Sequence, residues 1–176
     1  YNVTCNDQTA LVSGLLTIEV TGVNETPLFT TPPPSNIYVQ KSDSNSYTIV
    51  IGDPDNDDTI AITLDSNAPD FVSIADSNSK NTSLVIGTGE VGQYSFTITA
   101  TDSNDSSSES SVNLMVTPNI DSSNRYELSD TDDLKWLMTY QDVIIDDSDN
   151  YARTRNYIMT DNIALDSNMT PIGSSS

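Results

Sequence analysis

Between Ile37 and Val116, hydrophobic residues recur at every second position in short runs. Tyr47, Ile49 and Ile51 alternate with Thr48 and Val50, and Ile60, Ile62 and Leu64 alternate with Ala61 and Thr63. Leu84 and Ile86 follow, then Tyr94, Phe96, Ile98 and Ala100, then Val112, Leu114 and Val116. Ile37 to Val39 and Phe71 to Ile74 add two shorter runs. A period of two puts alternate side chains on one face of a strand, so each run predicts a strand with one buried face. Turn-forming stretches separate the runs: Asp53-Pro-Asp-Asn-Asp-Asp58, Asn67-Ala-Pro69, Gly87-Thr-Gly89 and the Ser-rich stretch after Asp102. About seven short strands over roughly ninety residues predict a mainly β chain with a two-sheet sandwich.

An internal repeat extends this plan. Tyr1-Asn-Val-Thr-Cys-Asn-Asp7 lines up with Phe96-Thr-Ile-Thr-Ala-Thr-Asp102, and Leu16-Thr-Ile-Glu-Val-Thr21 with Val112-Asn-Leu-Met-Val-Thr117. Each copy is a strand ending in Asp, a loop, and a second alternating strand. Residues 1–25 therefore read as the last hairpin of one sandwich, and 26–118 as a complete copy of immunoglobulin-like size, the two in tandem. Because the chain opens within a predicted strand, it reads as an internal piece of something longer. Cys5 aligns with the inward position of Ala100, which suits a small buried hydrophobe.

After Pro118 the pattern changes. A polar link over 119–125 precedes Tyr126-Glu-Leu-Ser-Asp-Thr-Asp-Asp-Leu-Lys-Trp-Leu-Met138. Ser129 or Thr131 is placed to cap a helix whose first turn carries Asp132 and Asp133, favourable at the positive end of the helix dipole. Leu134, Leu137, Met138 and Gln141 share one face of that helix, and Trp136 reads as core or cap packing. Asp146 to Asn150 is an acidic loop, and Tyr157 to Leu165 reads as a strand pair.

These residues carry two resemblances. Val20-Thr-Gly-Val-Asn-Glu-Thr-Pro-Leu-Phe29 resembles the inter-repeat linker of cadherins, Asp53-Pro-Asp55 their D-x-D element, and Thr99-Ala-Thr-Asp102 their A-x-D element. Gly92 to Asp102 is closer still to dystroglycan-type cadherin-like domains. The resemblance implies a cadherin-like sandwich over 26–118 and a calcium ion at the junction between repeats. It implies Glu25, Asp53, Asp55 and Asp102 as carboxylate ligands and Asn24 as a backbone-carbonyl ligand. Gly22 stands where the linker's first acidic residue falls, which removes one oxygen from that set. Over 126–176, the capped D-L-K-W-L helix, Thr160-Asp-Asn-Ile-Ala-Leu165 and Pro171-Ile-Gly173 resemble the start of GLUG-type right-handed β-helix surface proteins. That resemblance implies a helix cap and the first coil of a solenoid.

Composition narrows the chemistry. The chain has 26 acidic and 6 basic residues, a formal charge of −20, and no histidine. Phosphate recognition needs clustered Lys and Arg, so nucleic acid and anionic membrane surfaces are not the expected partners. Without histidine, the commonest general base and the commonest transition-metal ligand are missing. Carboxylate pairs are the remaining catalytic option, and no pattern places two of them in an aromatic cleft; the chain reads as a non-enzyme. Asp outnumbers Glu 21 to 5, and Asp is a compact oxygen ligand that suits turns and hard cations such as calcium.

Five N-x-[ST] triplets, at Asn2, Asn24, Asn81, Asn104 and Asn168, are acceptor sites for N-linked glycans in a secreted protein. Together these features describe an extracellular or cell-surface structural and adhesive module, stiffened by calcium. Its expected partners are further repeats of the same chain or identical subunits end to end. A carbohydrate-binding or polysaccharide-active surface protein is the alternative, and a receptor-like module a third class.

Overall fold

The computed structural model describes residues 2–6, 11–15, 22–55, 59–140 and 156–163, the first two stretches by backbone only. The elements are β1 (Asn2–Asn6), β2 (Leu11–Leu15), β3 (Leu28–Thr31), β4 (Asn36–Gln40), β5 (Asn45–Gly52), β6 (Ala61–Leu64), β7 (Val72–Ile74), β8 (Asn81–Ile86), β9 (Gly92–Thr101), β10 (Ser107–Thr117), β11 (Tyr126–Leu128), α1 (Thr131–Tyr140) and β12 (Tyr157–Met159). Among the described residues no helix is long and apolar enough to cross a membrane.

Two four-stranded sheets, ordered β3-β5-β8-β7 and β4-β10-β9-β6, face each other as the expected sandwich. The alternating positions fill the space between them. Ile37, Val39, Ile49, Ile51, Ile60, Ile62, Leu84, Ile86, Phe96, Ile98, Ala100, Val112, Leu114 and Val116 are all buried in one cluster. Each Val, Leu, Ile or Phe removed from water contributes about 1.5–3 kcal/mol against the cost of ordering the chain.

Strand direction sets where the neighbouring segments attach. β10 pairs antiparallel with β9 and parallel with β4, from Asn113↔Asn36 to Thr117↔Gln40. β4 and β10 therefore run the same way. β10 starts at the pole holding the β9–β10 loop and the β5–β6 connection, β4 joins it from midway, at Asn113, and both finish at the opposite pole. The chain approaches β3 at the first pole, because Leu28 pairs with Gly52, next to Asp53. It leaves from Thr117 at the second.

β1 and β2 form the expected N-terminal hairpin, and its register repeats that of β9 and β10. Asn6 pairs with Leu11 as Thr101 pairs with Ser107, and Asn2 with Leu15 as Thr97 with Ser111. The second strand, however, lies at Leu11–Leu15; the aligned stretch 16–21 falls outside the described residues, as do the Cys5 side chain and Asp57, Asp58 and 146–149.

At the far pole the 119–125 stretch is a fixed turn. Asp121 Oδ1 accepts the Ser123 and Arg125 N–H groups, both at 2.9 Å, and Oδ2 takes a forked pair from Arg125 Nε and Nη2 at 2.8 and 2.7 Å. Asn119 Oδ1 accepts Ser42 N and Oγ, and Gln40 Oε1 accepts Ile120 N at 2.6 Å. The helix beyond is capped by Asp130, whose Oδ1 accepts the Asp133 N–H at 2.8 Å, rather than by Ser129 or Thr131. One residue too early or late, those side chains are not at the position whose oxygen reaches the third helical N–H. Trp136, Leu134 and Leu137 pack with Tyr126, Leu128 and Met115 in a second cluster, against which Tyr38, Val91 and Met138 also lie. Tyr38 and Met115 come from the outer face of the sandwich, so this helix docks on β4 and β10. β11 and β12 form a parallel pair, Tyr126↔Tyr157 to Leu128↔Met159.

Candidate functional site

The candidate ligands lie at the N-terminal pole, around the linker. Asp102 directly follows β9 and opens the five-residue loop to Ser107, which closes on it. The Asp102 N–H donates to Ser106 O at 3.0 Å, and Asp105 takes a left-handed φ of 67°, which Asp tolerates better than most residues. Asp102 Oδ1 accepts the Asn104 and Ser106 N–H groups at 2.8 and 2.9 Å. The carboxylate that follows the strand therefore also folds its loop, an Asx turn extended by one bond.

The linker closes on this loop from outside. Asn24 Nδ2 donates to Asp102 Oδ2 at 3.0 Å and to Ser106 Oγ at 2.8 Å, while Asn24 Oδ1 accepts Asn104 Nδ2 at 2.7 Å. Asp102 is 5% exposed. Burial pushes its carboxyl up, but the Asn24 amide and the Ser106 and Asn104 N–H groups outweigh that and hold it below the usual carboxylate range.

One residue on, the Glu25 N–H donates to Asp55 Oδ2 at 2.8 Å, and the Asp55 N–H to Asp53 Oδ1 at 2.9 Å. Residues 24 and 25 are thus fastened to two loops of the sandwich, the β9–β10 turn and the connection that leaves β5 for the other sheet. Asp53 Oδ2 is buried and has no hydrogen-bond partner among the described residues. The Glu25 residue is exposed, and Asp53 and Asp55 are half-buried.

The structure brings all five expected ligands to one pole but divides them. Asn24 and Asp102 bond to each other; Glu25, Asp53 and Asp55 form the other group. Among the described residues no three Asp, Glu, Cys or His side chains stand together closely enough to hold a metal. Four ion pairs occur among the described residues, Lys41–Asp130, Lys41–Asp133, Arg125–Asp121 and Lys135–Asp132, and none touches this pole. Of the two groups, the second holds an unpartnered buried oxygen, Asp53 Oδ2. On the first group the oxygens are already engaged.

Three of the glycan acceptors are described. Asn81 opens β8 and is exposed, with its backbone N–H on Ser79 Oγ. Asn104 is exposed, but its Nδ2 is held by Asn24. Asn24 is half-buried, with Nδ2 shared between two acceptors. The side chain of Asn2, and all of Asn168, lie outside the described residues.

Sequence reasoning missed a site at the opposite pole. Lys41, just past β4, donates from Nζ to Ser129 Oγ and Asp130 Oδ2, both at 2.9 Å, and to Asp133 Oδ2 at 2.6 Å. Asp133 is fully buried and also accepts Ser129 N and Oγ, each at 2.9 Å. A cleft of about 430 Å³ lies nearby, lined by Glu90, Asp132, Lys135, Trp136, Thr139 and Tyr140 among others; it includes none of the candidate ligands.

A family model described as a putative Ig domain matches residues 26–117. Comparison with curated proteins gives no match. Among solved structures, the chain is similar to an I-band fragment of titin at 19% identity and a TM-score of 0.42, covering 54% of this chain and 34% of that one. Similarity to the N-terminal Ig1-2 module of the Drosophila receptor protein tyrosine phosphatase DLAR is 13% identity with a TM-score of 0.41, covering 54% of this chain and 50% of that one. An endo-fucoidan hydrolase from glycoside hydrolase family 107 matches at 24% identity and 0.43, covering 57% of this chain and 15% of that one. The chain spans half or less of the length of each of these structures.

Proposed function

The chain belongs to the putative Ig domain family, whose sandwich is typical of extracellular or structural modules in larger proteins, and from that premise we propose an in-line structural and adhesive module of a surface or fibre protein. One observation carries the proposal: the segments before and after the sandwich attach at opposite poles, and side chains fasten each of them down. Asn24 and Glu25 do this at one end, and Lys41, Ser42 and Gln40 at the other. Tension applied through those poles shears β4 against β10. Their parallel pairing loads all five paired positions, Asn36–Gln40 with Asn113–Thr117, together. The matched registers of the β1–β2 and β9–β10 hairpins support a tandem arrangement of such modules.

An extracellular setting is part of the proposal. The charge of −20 and the five acceptor triplets support it, with Asn81 the described acceptor whose side chain stands open. So is calcium at Glu25, Asp53 and Asp55, supported by the unpartnered Asp53 Oδ2. A divalent cation there would offset the repulsion of adjacent carboxylates. Further solenoid coils beyond β12 complete the reading, supported by the parallel β11–β12 pair and by Tyr157 and Met159, which stand 52% and 54% exposed on one face.

Single-molecule pulling from Glu25 and Pro118 tests the load-bearing claim. Unfolding should need more force than pulling from Ser79 and Asn104, where hydrogen bonds peel one at a time. Equal forces in the two geometries would contradict it. For calcium, the melting temperature should rise across roughly 10⁻⁴ to 10⁻³ M ion, the range of extracellular modules, and Asp53→Ala/Asp55→Ala should abolish the rise. An EDTA-insensitive melting temperature would remove the ion from the account.

A further inference from the structure

We infer that the Asp102 half of the N-terminal pole is a metal-free clamp, in which the Asn24 carboxamide occupies the position that the cadherin-like resemblance gives to calcium. The inference rests on the in-line reading only in taking this pole as a junction. A primary amide has two N–H donors and a carbonyl acceptor. In Asn24 all three are engaged: Nδ2 with Asp102 Oδ2 and Ser106 Oγ, and Oδ1 with Asn104 Nδ2. Asp102 in turn accepts two backbone N–H groups and one amide N–H. A buried carboxylate with three N–H donors directed at it is compensated without a cation.

Calcium binds oxygens at about 2.3–2.6 Å. To reach Asp102 Oδ2 in the direction of the linker, an ion would have to displace the Asn24 N–H that now fills that direction. Turning the amide to present Oδ1 instead would break the bonds to Asp102, Ser106 and Asn104 together. The two halves of the pole therefore differ in kind. Around Asp102 neutral donors satisfy the charge; around Asp53 a buried oxygen is left without a partner.

A single atom change should convert one kind into the other. Asn24→Asp replaces the donating nitrogen by an oxygen and sets a second carboxylate against Asp102. The repulsion opens the loop unless a divalent cation lies between them.

The test is hydrogen exchange at the Asn104 and Ser106 amides, which donate to Asp102, in the full chain with excess EDTA and with millimolar calcium. In the unsubstituted protein the two rates should agree within about twofold. Asn24→Ala should accelerate exchange about ten- to a hundredfold in both conditions, the range for losing a hydrogen bond to a charged group. Asn24→Asp should accelerate it similarly in EDTA and recover at least tenfold of it in calcium. Core amides such as Ile98 report whether each variant is folded. Faster exchange of the unsubstituted protein in EDTA would overturn the inference, as would an Asn24→Asp rate that calcium leaves unchanged. Neither result bears on the pulling geometry, and a melting shift lost on Asp53→Ala is compatible with either.

Discussion

Lys41→Met should destabilise the full chain by about 3 kcal/mol, toward the low end for breaking a buried ion pair because a fifth of the Lys41 side chain still reaches solvent. The substitution keeps an unbranched apolar side chain of similar reach and removes the ammonium, with its charge and its bonds to Ser129, Asp130 and Asp133. Asp133 would then be a fully buried carboxylate held by Ser129 alone, with Oδ1 already unpartnered among the described residues. Adding Asp133→Asn should restore part of the loss, because it removes the stranded charge.

The pH dependence has a definite sign. Burial opposes the charge on Lys41, but its hydrogen bonds to the Asp133 and Asp130 carboxylates outweigh that, and its pKa lies above the ordinary 10.5. That contribution is complete below 10.5 and is lost as pH rises through the higher folded value. Burial likewise opposes ionisation of Asp130, but the Asp133 N–H and Lys41 hold its pKa below the ordinary 3.8. Its contribution is complete above 3.8 and is lost as pH falls through the lower folded value. Urea denaturation at several pH values should show a Lys41→Met deficit that is constant between these limits and smaller outside them. A deficit under about 0.5 kcal/mol at neutral pH would place the pair among surface ion pairs of little consequence.

Trp136→Ala should cost about 3–5 kcal/mol, the usual loss for a large buried aromatic. Trp136 is 2% exposed and lies edge-on to Tyr126, with ring centroids 5.3 Å apart and planes at 62°. Its other side meets Tyr140 at 5.9 Å. The damage should be local. The cluster of Met115, Tyr126, Leu128, Leu134 and Leu137 loses its largest member, whereas the residues between the two sheets form a separate cluster. Hydrogen exchange should show α1 amides deprotected at low denaturant while amides of β5, β8 and β9 stay protected. Equal loss in both regions would mean that helix and sandwich unfold as one cooperative unit.

The sandwich was legible because a period of two is a local property. Residues such as Ile49, Leu84, Ile98 and Leu114 declare their face from their immediate neighbours, and all are buried. The hairpin register was legible through the repeat. Docking of the helix was signalled but not read: Ile37-Tyr-Val39 and Leu114-Met-Val116 break the alternation with an apolar residue on the outer face, where Tyr38 and Met115 now meet α1. The Lys41 clasp joins residues 88 to 92 positions apart, and no local pattern announces such a pair. The helix cap was misplaced by one residue because Ser129, Asp130 and Thr131 are all capping types, and backbone geometry chooses among them.

The candidate ligands show a further gap. The cadherin-like resemblance placed them at one junction, and the structure puts them at one pole in two separate groups. What the pattern could not convey is orientation. The resemblance gave Asn24 only a backbone carbonyl and assigned no part to its side chain, whose nitrogen can donate to a neighbouring carboxylate. Asn24 offers its nitrogen.

The central claim is that both flanking segments are fastened to the sandwich, so that 22–140 moves as one in-line body. Backbone ¹⁵N relaxation on the full chain tests it most directly. Amides of Asn24 and Glu25, of the sandwich strands, and of α1 should report a single overall rotational correlation time. A shorter correlation time for α1, or for Asn24 and Glu25, than for β9 and β10 would contradict the account.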